Sequence, residues 1–357
     1  MLPIRGATVG SMGASRDRSG VEAGMTRESR RSRYAWGMTD DAPAAATSAL
    51  QAIRGPVAAV HTPFDETGRL APDVIPAYAA HLRDSGVGAA YVCGSTGESL
   101  ALSVAERRAI LEAWMSVAGE DLHVIAHVGS NALPDSLELA RHADALGVDG
   151  ISAMNPTFGR AADVEALVAH HAQIADAGGG RPYLIYEISA FGGVAFPASE
   201  VVAASLGRVP GFAGLKFTSS DLIQLQLSLE MAAEHDLRIF FGSDEQLLAG
   251  LVLGCSSAIG STYGYAPEPA QAVFAAFDQG DLEAARIAQR RIARLVVPLL
   301  RHGVLRTGRT LLECVGVPIG PPRSPERRLD SAERALVLAE LAPLGIRGLG
   351  SGEQVGC

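Results

Sequence analysis

Eight short apolar runs, separated by segments with helical spacing of apolar residues, constrain the fold of this chain most strongly. The runs are PVAAVHTPF (56–64), GAAYVCGS (88–95), LHVIAHVG (122–129), VDGISAMN (148–155), PYLIYEIS (182–189), FAGLKFT (212–218), LRIFFGS (237–243) and SSAIGST (256–262). Near-continuous apolar strands that alternate with helices are typical of a parallel sheet buried on both faces. Eight such units predict a (β/α)8 TIM barrel of the α/β class, with a doubly wound sheet as the alternative.

The segments that flank the eight units differ in character. Residues 1–50 are rich in Ser, Gly and Arg and lack a sustained apolar period, which predicts a disordered leader. Residues 51–280 would form the catalytic barrel. Residues 281–349 contain a long helical pattern and two shorter ones, which predict a C-terminal helical appendage to the barrel.

Charge and cysteine content exclude several classes of protein. The formal net charge of -9 argues against a nucleic-acid-binding or membrane-surface protein. No apolar run reaches the length of about eighteen residues that a spanning helix needs. The four cysteines lie far apart without CxxC spacing, which predicts reduced thiols in a cytoplasmic protein and neither a disulfide framework nor a zinc site.

Lys216 is the only lysine among the 30 Lys and Arg residues of the chain. It lies in the sixth apolar run, and barrel enzymes carry their chemistry where the strands end. Alternation along GLKFT places Lys216 and Thr218 on one strand face. If that face is the barrel interior, desolvation lowers the pKa of the amine and makes it a nucleophile for Schiff-base formation. A strand-end lysine with its head in water is the alternative.

Two neighbouring strand ends carry suitable partners for such an amine. Tyr186 could move protons as a general acid and base, or could be an ordinary buried aromatic residue. The GSTGE turn (94–98) has two glycines and two hydroxyls, and its backbone N–H groups could converge on an anion. No Gly-Lys-Ser/Thr follows it, so a carboxylate is a better guest than a phosphate, and a simple strand-to-helix turn is the alternative.

Three histidines raise the possibility of a metal-dependent enzyme. His61, His123 and His127 all lie on predicted strands. No carboxylate spacing completes a ligand set around them, which favours ordinary hydrogen-bonded barrel residues. The sequence therefore predicts no metal site.

GSTGES on the second strand, tyrosine on the fifth and GLKxT on the sixth together resemble one family of enzymes. This is the class I pyruvate-dependent aldolases of the dihydrodipicolinate synthase and N-acetylneuraminate lyase family, and the resemblance covers roughly residues 55–345. It implies that Lys216 forms the Schiff base with pyruvate and that Tyr186 shuttles protons. It implies that Ser95 and Thr96 hold the pyruvate carboxylate. It also implies a homotetramer that needs no metal or organic cofactor.

The lyase branch of this family is the more similar one. Its members carry polar residues on strands six to eight that contact the hydroxyl chain of a sugar, and the matching positions here are Thr218, Gly242, Asp244, Glu245 and Ser261. Helix N-capping is the alternative role for Asp244 and Glu245.

The synthase branch typically carries an arginine shortly after the strand-five tyrosine. Ala190 and Phe191 occupy that neighbourhood here, which counts against a synthase. Two further departures concern both branches: Glu187 replaces a usual asparagine and adds a possible charge near the imine, and the strand-four loop offers Phe158 where many members have a tyrosine.

The resemblance implies a lyase that cleaves N-acetylneuraminate into pyruvate and N-acetylmannosamine. Alternatives within the family are another sugar-acid aldolase or dehydratase, or a 4-hydroxy-tetrahydrodipicolinate synthase-like enzyme. An alternative of another class is a non-catalytic 2-oxo acid binding protein. Lys216 together with Tyr186 favours an enzyme, because reversible sensing needs no imine chemistry.

Overall fold

The computed structural model describes residues 48–188, 196–346 and 348–349. Nearly all of the predicted leader, and the stretch that contains Ala190 and Phe191, lie outside the described residues. The predicted limits of the leader therefore stay a prediction.

Eight parallel strands form a closed barrel in which each strand pairs with the next and the eighth pairs with the first. The strands are β1 (Gly55–Ala59), β2 (Ala89–Val92), β3 (His123–His127), β4 (Gly150–Met154), β5 (Tyr183–Ile188), β6 (Phe212–Thr218), β7 (Arg238–Phe241) and β8 (Ser257–Gly260). The predicted (β/α)8 barrel is confirmed. Most strands end before the polar residues that close each predicted run, because those residues lie in the loops at the carboxyl end of the barrel.

Helices follow every strand and continue beyond the last one. They are α1 (Ser48–Ala52), α2 (Ile75–Asp84), α3 (Val104–Val117), α4 (Leu133–Leu146), α5 (Val164–Ala177), α6 (Ala198–Ser205), α7 (Leu222–Glu234), α8 (Leu247–Leu253), α9 (Pro267–Asp278), α10 (Leu282–His302), α11 (Val304–Cys314) and α12 (Ser331–Leu341). The N-terminus of α3 carries the predicted capping box between Ser103 and Glu106. Asp221 caps α7 through the backbone N–H groups of its first turn.

The barrel wall separates two apolar clusters. Leu215 and Phe217 belong to the larger cluster, which lies between the strands and the surrounding helices. Tyr91, Tyr186 and Phe240 belong to the smaller cluster, which fills the barrel interior. This division follows from the alternation of side chains along buried parallel strands.

The amino-terminal end of the barrel is closed by α1 and the residues after it. Leu50 enters the interior cluster. Arg238 is buried beside it and donates hydrogen bonds to the Ile53 carbonyl and to Ser257 Oγ, each at 2.7 Å. This end is therefore packed, and its buried Arg238 and Ser257 side chains are hydrogen-bonded. The opposite end is left for chemistry.

Helices α10, α11 and α12 form the C-terminal extension, and they belong to the same compact unit as the barrel. The predicted division at residues 280 and 281 stays a prediction. In the part of the chain that the structure describes, no helix has the length and apolar character needed to cross a membrane.

The cysteines depart from the prediction of four reduced thiols. Cys93 and Cys255 are free and buried, but Cys314 is disulfide-bonded. The prediction was wrong for Cys314 because wide spacing along a chain does not determine which sulfur atoms meet in the folded protein.

Candidate active site

One cavity of about 360 Å³ opens at the carboxyl end of the barrel, and all nine predicted site residues line it. They are Ser95, Thr96, Tyr186, Lys216, Thr218, Gly242, Asp244, Glu245 and Ser261. Helices α10 and α11 close one side with the aliphatic residues Val296, Leu299, Leu300, Val304 and Leu305. The cavity therefore has a polar wall from the strand ends and an apolar wall from the C-terminal extension.

A bulge in β6 sets the direction of the Lys216 side chain. Ala213 is an extra residue, because its neighbours Phe212 and Gly214 pair with consecutive residues of β5. Gly214 has φ +130°, and a Cβ there would lie 1.9 Å from the carbonyl oxygen of Arg238. Only glycine fits this position. Regular alternation resumes after the bulge and directs Lys216 into the interior.

The Lys216 amine is buried among aromatic rings. The residue is 3% exposed, which excludes the alternative of a solvated head. Its Nζ lies 4.0 Å from the centre of the Tyr91 ring and 4.1 Å from that of Tyr186. Burial lowers the pKa of the amine to about 7, and the charge of Asp244 opposes this shift. A substantial fraction of Lys216 is therefore neutral and nucleophilic near pH 7.

The Tyr186 phenol lies between the amine and the GSTGE turn. Its oxygen is 3.1 Å from Ser95 Oγ. Its ring meets those of Tyr91 and His127 edge to face, which fixes its orientation. Burial raises the pKa of Tyr186 to about 12, so the phenol is protonated at neutral pH.

The turn that carries Ser95 and Thr96 has a constrained backbone. Cys93 and Glu98, which flank it, both have left-handed backbone conformations with φ near +57°. Gly97 packs so closely that a Cβ would lie 3.2 Å from the Val60 carbonyl oxygen. Left-handed residues other than glycine cost free energy and cluster where function requires a fixed geometry. The constrained backbone therefore fixes the positions of the Ser95 and Thr96 hydroxyls at the cavity wall.

Asp244 is buried and is aimed by Thr262. Its Oδ2 accepts hydrogen bonds from the Thr262 backbone N–H at 2.9 Å and from the Thr262 hydroxyl at 2.7 Å. Burial raises the pKa of the Asp244 carboxyl to about 6, against these two hydrogen bonds. Neither the 3-10 turn that starts at Asp244 nor α8 has a side-chain cap, so N-capping is excluded as the role of this carboxylate.

Gly260→Ala tests how tightly Asp244 is held. A methyl group at position 260 would lie 1.7 Å from Asp244 Oδ1. We expect the substitution to lower the free energy of unfolding by about 1–3 kcal/mol in urea denaturation, the usual cost of overpacking. The loss should shrink in an Asp244→Ala background, and an undiminished loss would contradict the assignment. Gly88→Ala is the matched control, because a methyl there meets its nearest atom at an ordinary 3.7 Å.

The two departures from the family pattern do not enter this cavity. Glu187 points to the outer face of the barrel, where it borders a small separate pocket with Leu215 and Phe196. Phe158 is 83% exposed, and its backbone N–H donates to Asn131 Oδ1 at 3.0 Å. Strand alternation places Glu187 on the face opposite Tyr186, but its charge still acts on the phenol and contributes to the raised pKa of Tyr186.

Two of the three histidines have separate structural partners, whereas both ring nitrogens of the buried His61 lack a hydrogen-bond partner in the described part of the chain, so the expectation of a hydrogen-bonded residue was wrong for His61. His127 Nε2 accepts from the Met154 N–H at 3.1 Å, which leaves Nδ1–H to donate to the Cys93 carbonyl at 3.0 Å. His123 contacts Asp149 at 3.0 Å. Among the described residues, no three His, Cys, Asp or Glu side chains are grouped so that they could hold a metal ion.

Sequence reasoning missed part of this site. Thr262 directly follows the predicted Ser261, and the hydroxyl of a strand-end GST string was a usable signal. Tyr91 had a weaker signal as an aromatic residue on a predicted strand. The aliphatic wall had none, because Leu300 and Val304 read as ordinary residues of amphipathic helices.

Comparison with known proteins identifies the family of this chain. Residues 52–342 match the Dihydrodipicolinate synthetase family. The chain is 36% identical over 312 residues to the N-acetylneuraminate lyase of Rattus norvegicus, an alignment that covers 85% of this chain and 98% of the relative.

Solved structures give the same result. The N-acetylneuraminate lyase of Proteus mirabilis has a TM-score of 0.79 and 32% identity, and the match covers 82% of this chain and 99% of that one. The N-acetylneuraminate lyase (sialic acid aldolase) of Aliivibrio salmonicida has a TM-score of 0.79 and 35% identity, with 82% and 97% covered. The family resemblance drawn from the motifs is thus confirmed, and the chain belongs to the dihydrodipicolinate synthetase family.

Proposed function

We propose that the protein is a Schiff-base-forming, pyruvate-dependent lyase that cleaves N-acetylneuraminate into pyruvate and N-acetylmannosamine. The observation that carries the proposal is the buried Lys216 amine, whose pKa of about 7 leaves it partly neutral beside the Tyr186 phenol. The relatives named N-acetylneuraminate lyase support the choice of substrate, because one of them matches 85% of this chain.

Catalysis begins with the neutral Lys216 amine. Its nitrogen attacks the C2 carbonyl of the open-chain sugar acid, and loss of water leaves a protonated imine. The hydroxyls of Ser95 and Thr96 line the cavity next to Tyr186 and would hold the C1 carboxylate through hydrogen bonds. The carboxylate is thereby anchored while the imine forms at the adjacent carbon.

Carbon–carbon bond cleavage requires a base at the C4 hydroxyl. Tyr186 takes up this proton while its own proton passes to Ser95 Oγ, and Ser95 gives its hydroxyl proton to the substrate carboxylate that it binds. The C3–C4 bond breaks and its electrons form the C2=C3 double bond, while the π electrons of the iminium group move to its nitrogen, so that the departing aldehyde leaves an enamine on Lys216. The proton returns through Tyr186 to C3, and hydrolysis of the resulting imine releases pyruvate and restores the amine.

The polar side chains that line the cavity together with Lys216 suit the binding of a polyol. Asp244 and Glu245 offer carboxylate acceptors, and Thr218 and Ser261 offer hydroxyls. Gly242 leaves room for Thr218, because a Cβ at 242 would lie 1.9 Å from Thr218 Oγ1. Acceptors without a fixed cation match the hydroxyl chain of a sugar better than a second carboxylate substrate.

The pH dependence of imine formation should report the Lys216 pKa. Only the neutral amine attacks pyruvate, so the rate should rise with pH, reach half its maximum near pH 7 and then level off. The measurement is the initial rate of borohydride-trapped pyruvate adduct between pH 5.5 and 9. A midpoint near the ordinary lysine pKa of about 10.4 would contradict the buried geometry.

Asp244→Asn provides the control for this profile. The Asp244 charge raises the pKa of Lys216, so its removal should move the midpoint to lower pH. Movement to higher pH would mean that Asp244 does not act on the amine by its charge.

Pyruvate release from N-acetylneuraminate, coupled to lactate dehydrogenase, tests the proposed function directly. We expect turnover by the wild-type protein. If no pyruvate appears while borohydride and pyruvate still modify Lys216, the reaction class stands and the substrate is another sugar acid. If no pyruvate is released and borohydride with added pyruvate does not modify the protein, the proposal fails and the protein is a non-catalytic 2-oxo acid binding protein.

The family resemblance also supports proposals about cofactor, assembly and location. We expect turnover to survive dialysis against a metal chelator, because imine chemistry supplies the electron sink. We expect a homotetramer by light scattering and a cytoplasmic location.

A further inference from the structure

A buried ion pair lies beneath the turn that carries Ser95 and Thr96. The side chains of Arg309 and Glu98 are only 2% and 6% exposed, and Arg309 Nε donates to Glu98 Oε1 at 3.1 Å. The two residues are 211 positions apart in the chain. A buried charge pair is costly unless its geometry and its remaining hydrogen bonds are good, so its other contacts decide what it does.

Arg309 holds the turn from two sides. Glu98 closes the turn through a hydrogen bond from its N–H to the Ser95 carbonyl at 3.0 Å. On the other side, Thr62 Oγ1 donates to the Gly97 carbonyl at 2.7 Å. Arg309 Nη2 donates to the Thr62 carbonyl, also at 2.7 Å. One guanidinium thus fixes both groups that bound the turn.

The same guanidinium reaches the segment after α11. Arg309 Nη1 donates to the carbonyls of Ile319 and Gly320, each at 3.2 Å. Glu98 Oε2 accepts from the Arg323 N–H at 3.2 Å. Only a planar group with several donors can satisfy a carboxylate and three carbonyls together, which explains an arginine at this position.

We propose that Arg309 and Glu98 are positioning residues that hold Ser95 and Thr96 for the substrate carboxylate, so that α11 of the C-terminal extension controls pyruvate binding. The inference rests on the proposed function, which places the carboxylate at this turn. Helix α11 contacts the cavity directly as well, through Val304 and Leu305. Loss of Arg309 should therefore weaken carboxylate binding without removing the amine chemistry.

Arg309→Met tests the inference through the pyruvate concentration that gives half-maximal borohydride trapping. We expect this concentration to rise by about tenfold, the effect of weakening the carboxylate's hydrogen bonds by roughly one bond's net worth. Full trapping at saturating pyruvate should persist. The pyruvate concentration for half-maximal trapping of Arg309→Lys should lie between those of Arg309→Met and the wild type. Lysine keeps the positive charge but lacks the several donors of the planar guanidinium group.

Arg238→Met is the matched control. Arg238 is also a buried arginine that donates to a backbone carbonyl, but it lies at the opposite end of the barrel. We expect its loss to lower the melting temperature and to leave half-saturation by pyruvate unchanged. An equal rise of the half-saturating pyruvate concentration in Arg309→Met and Arg238→Met would overturn the inference, because it would reveal a general effect of destabilisation.

The remaining outcomes separate this inference from the proposed function. If the wild-type protein is not trapped by pyruvate, the proposed function fails. If the wild type is trapped and folded Arg309→Met keeps its half-saturation, the positioning inference fails alone. If Arg309→Met does not fold, Glu98→Gln carries the test, because it keeps the shape and loses the charge. If the half-saturating pyruvate concentration of Glu98→Gln is at least threefold above that of the wild type, the inference is supported. An unchanged concentration overturns it.

Discussion

Lys216→Arg should lower pyruvate release from N-acetylneuraminate by at least about 10⁴-fold, to below detection. The guanidinium stays protonated at every accessible pH and cannot form the imine. No other lysine exists in the chain to replace the missing amine. Wild-type and variant progress curves, recorded with the same lactate dehydrogenase coupling, give the comparison.

Lys216→Met controls for the burial of a fixed charge. Methionine fills a similar volume without a charge and leaves the rings of Tyr91 and Tyr186 packed. We expect it to fold, as judged by circular dichroism, and to be equally inactive. Activity within tenfold of wild type in either variant would show that the reaction does not pass through Lys216.

Tyr186→Phe should reduce kcat for cleavage by about 10²–10⁴-fold, the range of a lost general acid–base group. The ring and its packing are kept, and only the hydroxyl that lies 3.1 Å from Ser95 Oγ is removed. Pyruvate should still be trapped on Lys216, because the amine remains. The two measurements are steady-state cleavage and borohydride trapping, performed on the same preparation.

Tyr183→Phe is the matched control for this prediction. Tyr183 is a buried tyrosine of the same strand, but its hydroxyl contacts His171 Nδ1 at 2.8 Å in the layer outside the barrel. We expect kcat to stay within about threefold of wild type, since only a hydrogen bond remote from the cavity is lost. Equal losses in the two variants would assign the effect to stability and not to proton transfer.

The fold could be predicted because each strand has a recognisable apolar pattern in the local sequence. Eight apolar runs with helices between them admit few arrangements, and the buried parallel barrel was one of them. Lys216 was found through its singularity, and the alternation around it proved correct. That success depended on the bulge at Ala213, which lies before Lys216 and leaves the following residues in regular register.

Contacts between segments that are distant in the chain could not be predicted from the sequence. Glu98 belongs to a predicted turn, but nothing near it in the sequence indicates a partner in α11. The disulfide bond of Cys314 and the apolar wall at Leu300 were hidden for the same reason. Local periodicity predicts elements and their faces, whereas long-range pairing depends on how the finished elements pack.

The most direct test is to locate the covalent adduct that borohydride leaves when N-acetylneuraminate is the only substrate supplied. The side chain of Lys216 is the only lysine amine in the chain, so peptide mass spectrometry can assign the site without ambiguity. We predict that the peptide containing Lys216, and no other peptide, carries the reduced pyruvate adduct. Pyruvate release with an unmodified Lys216 peptide would contradict this prediction.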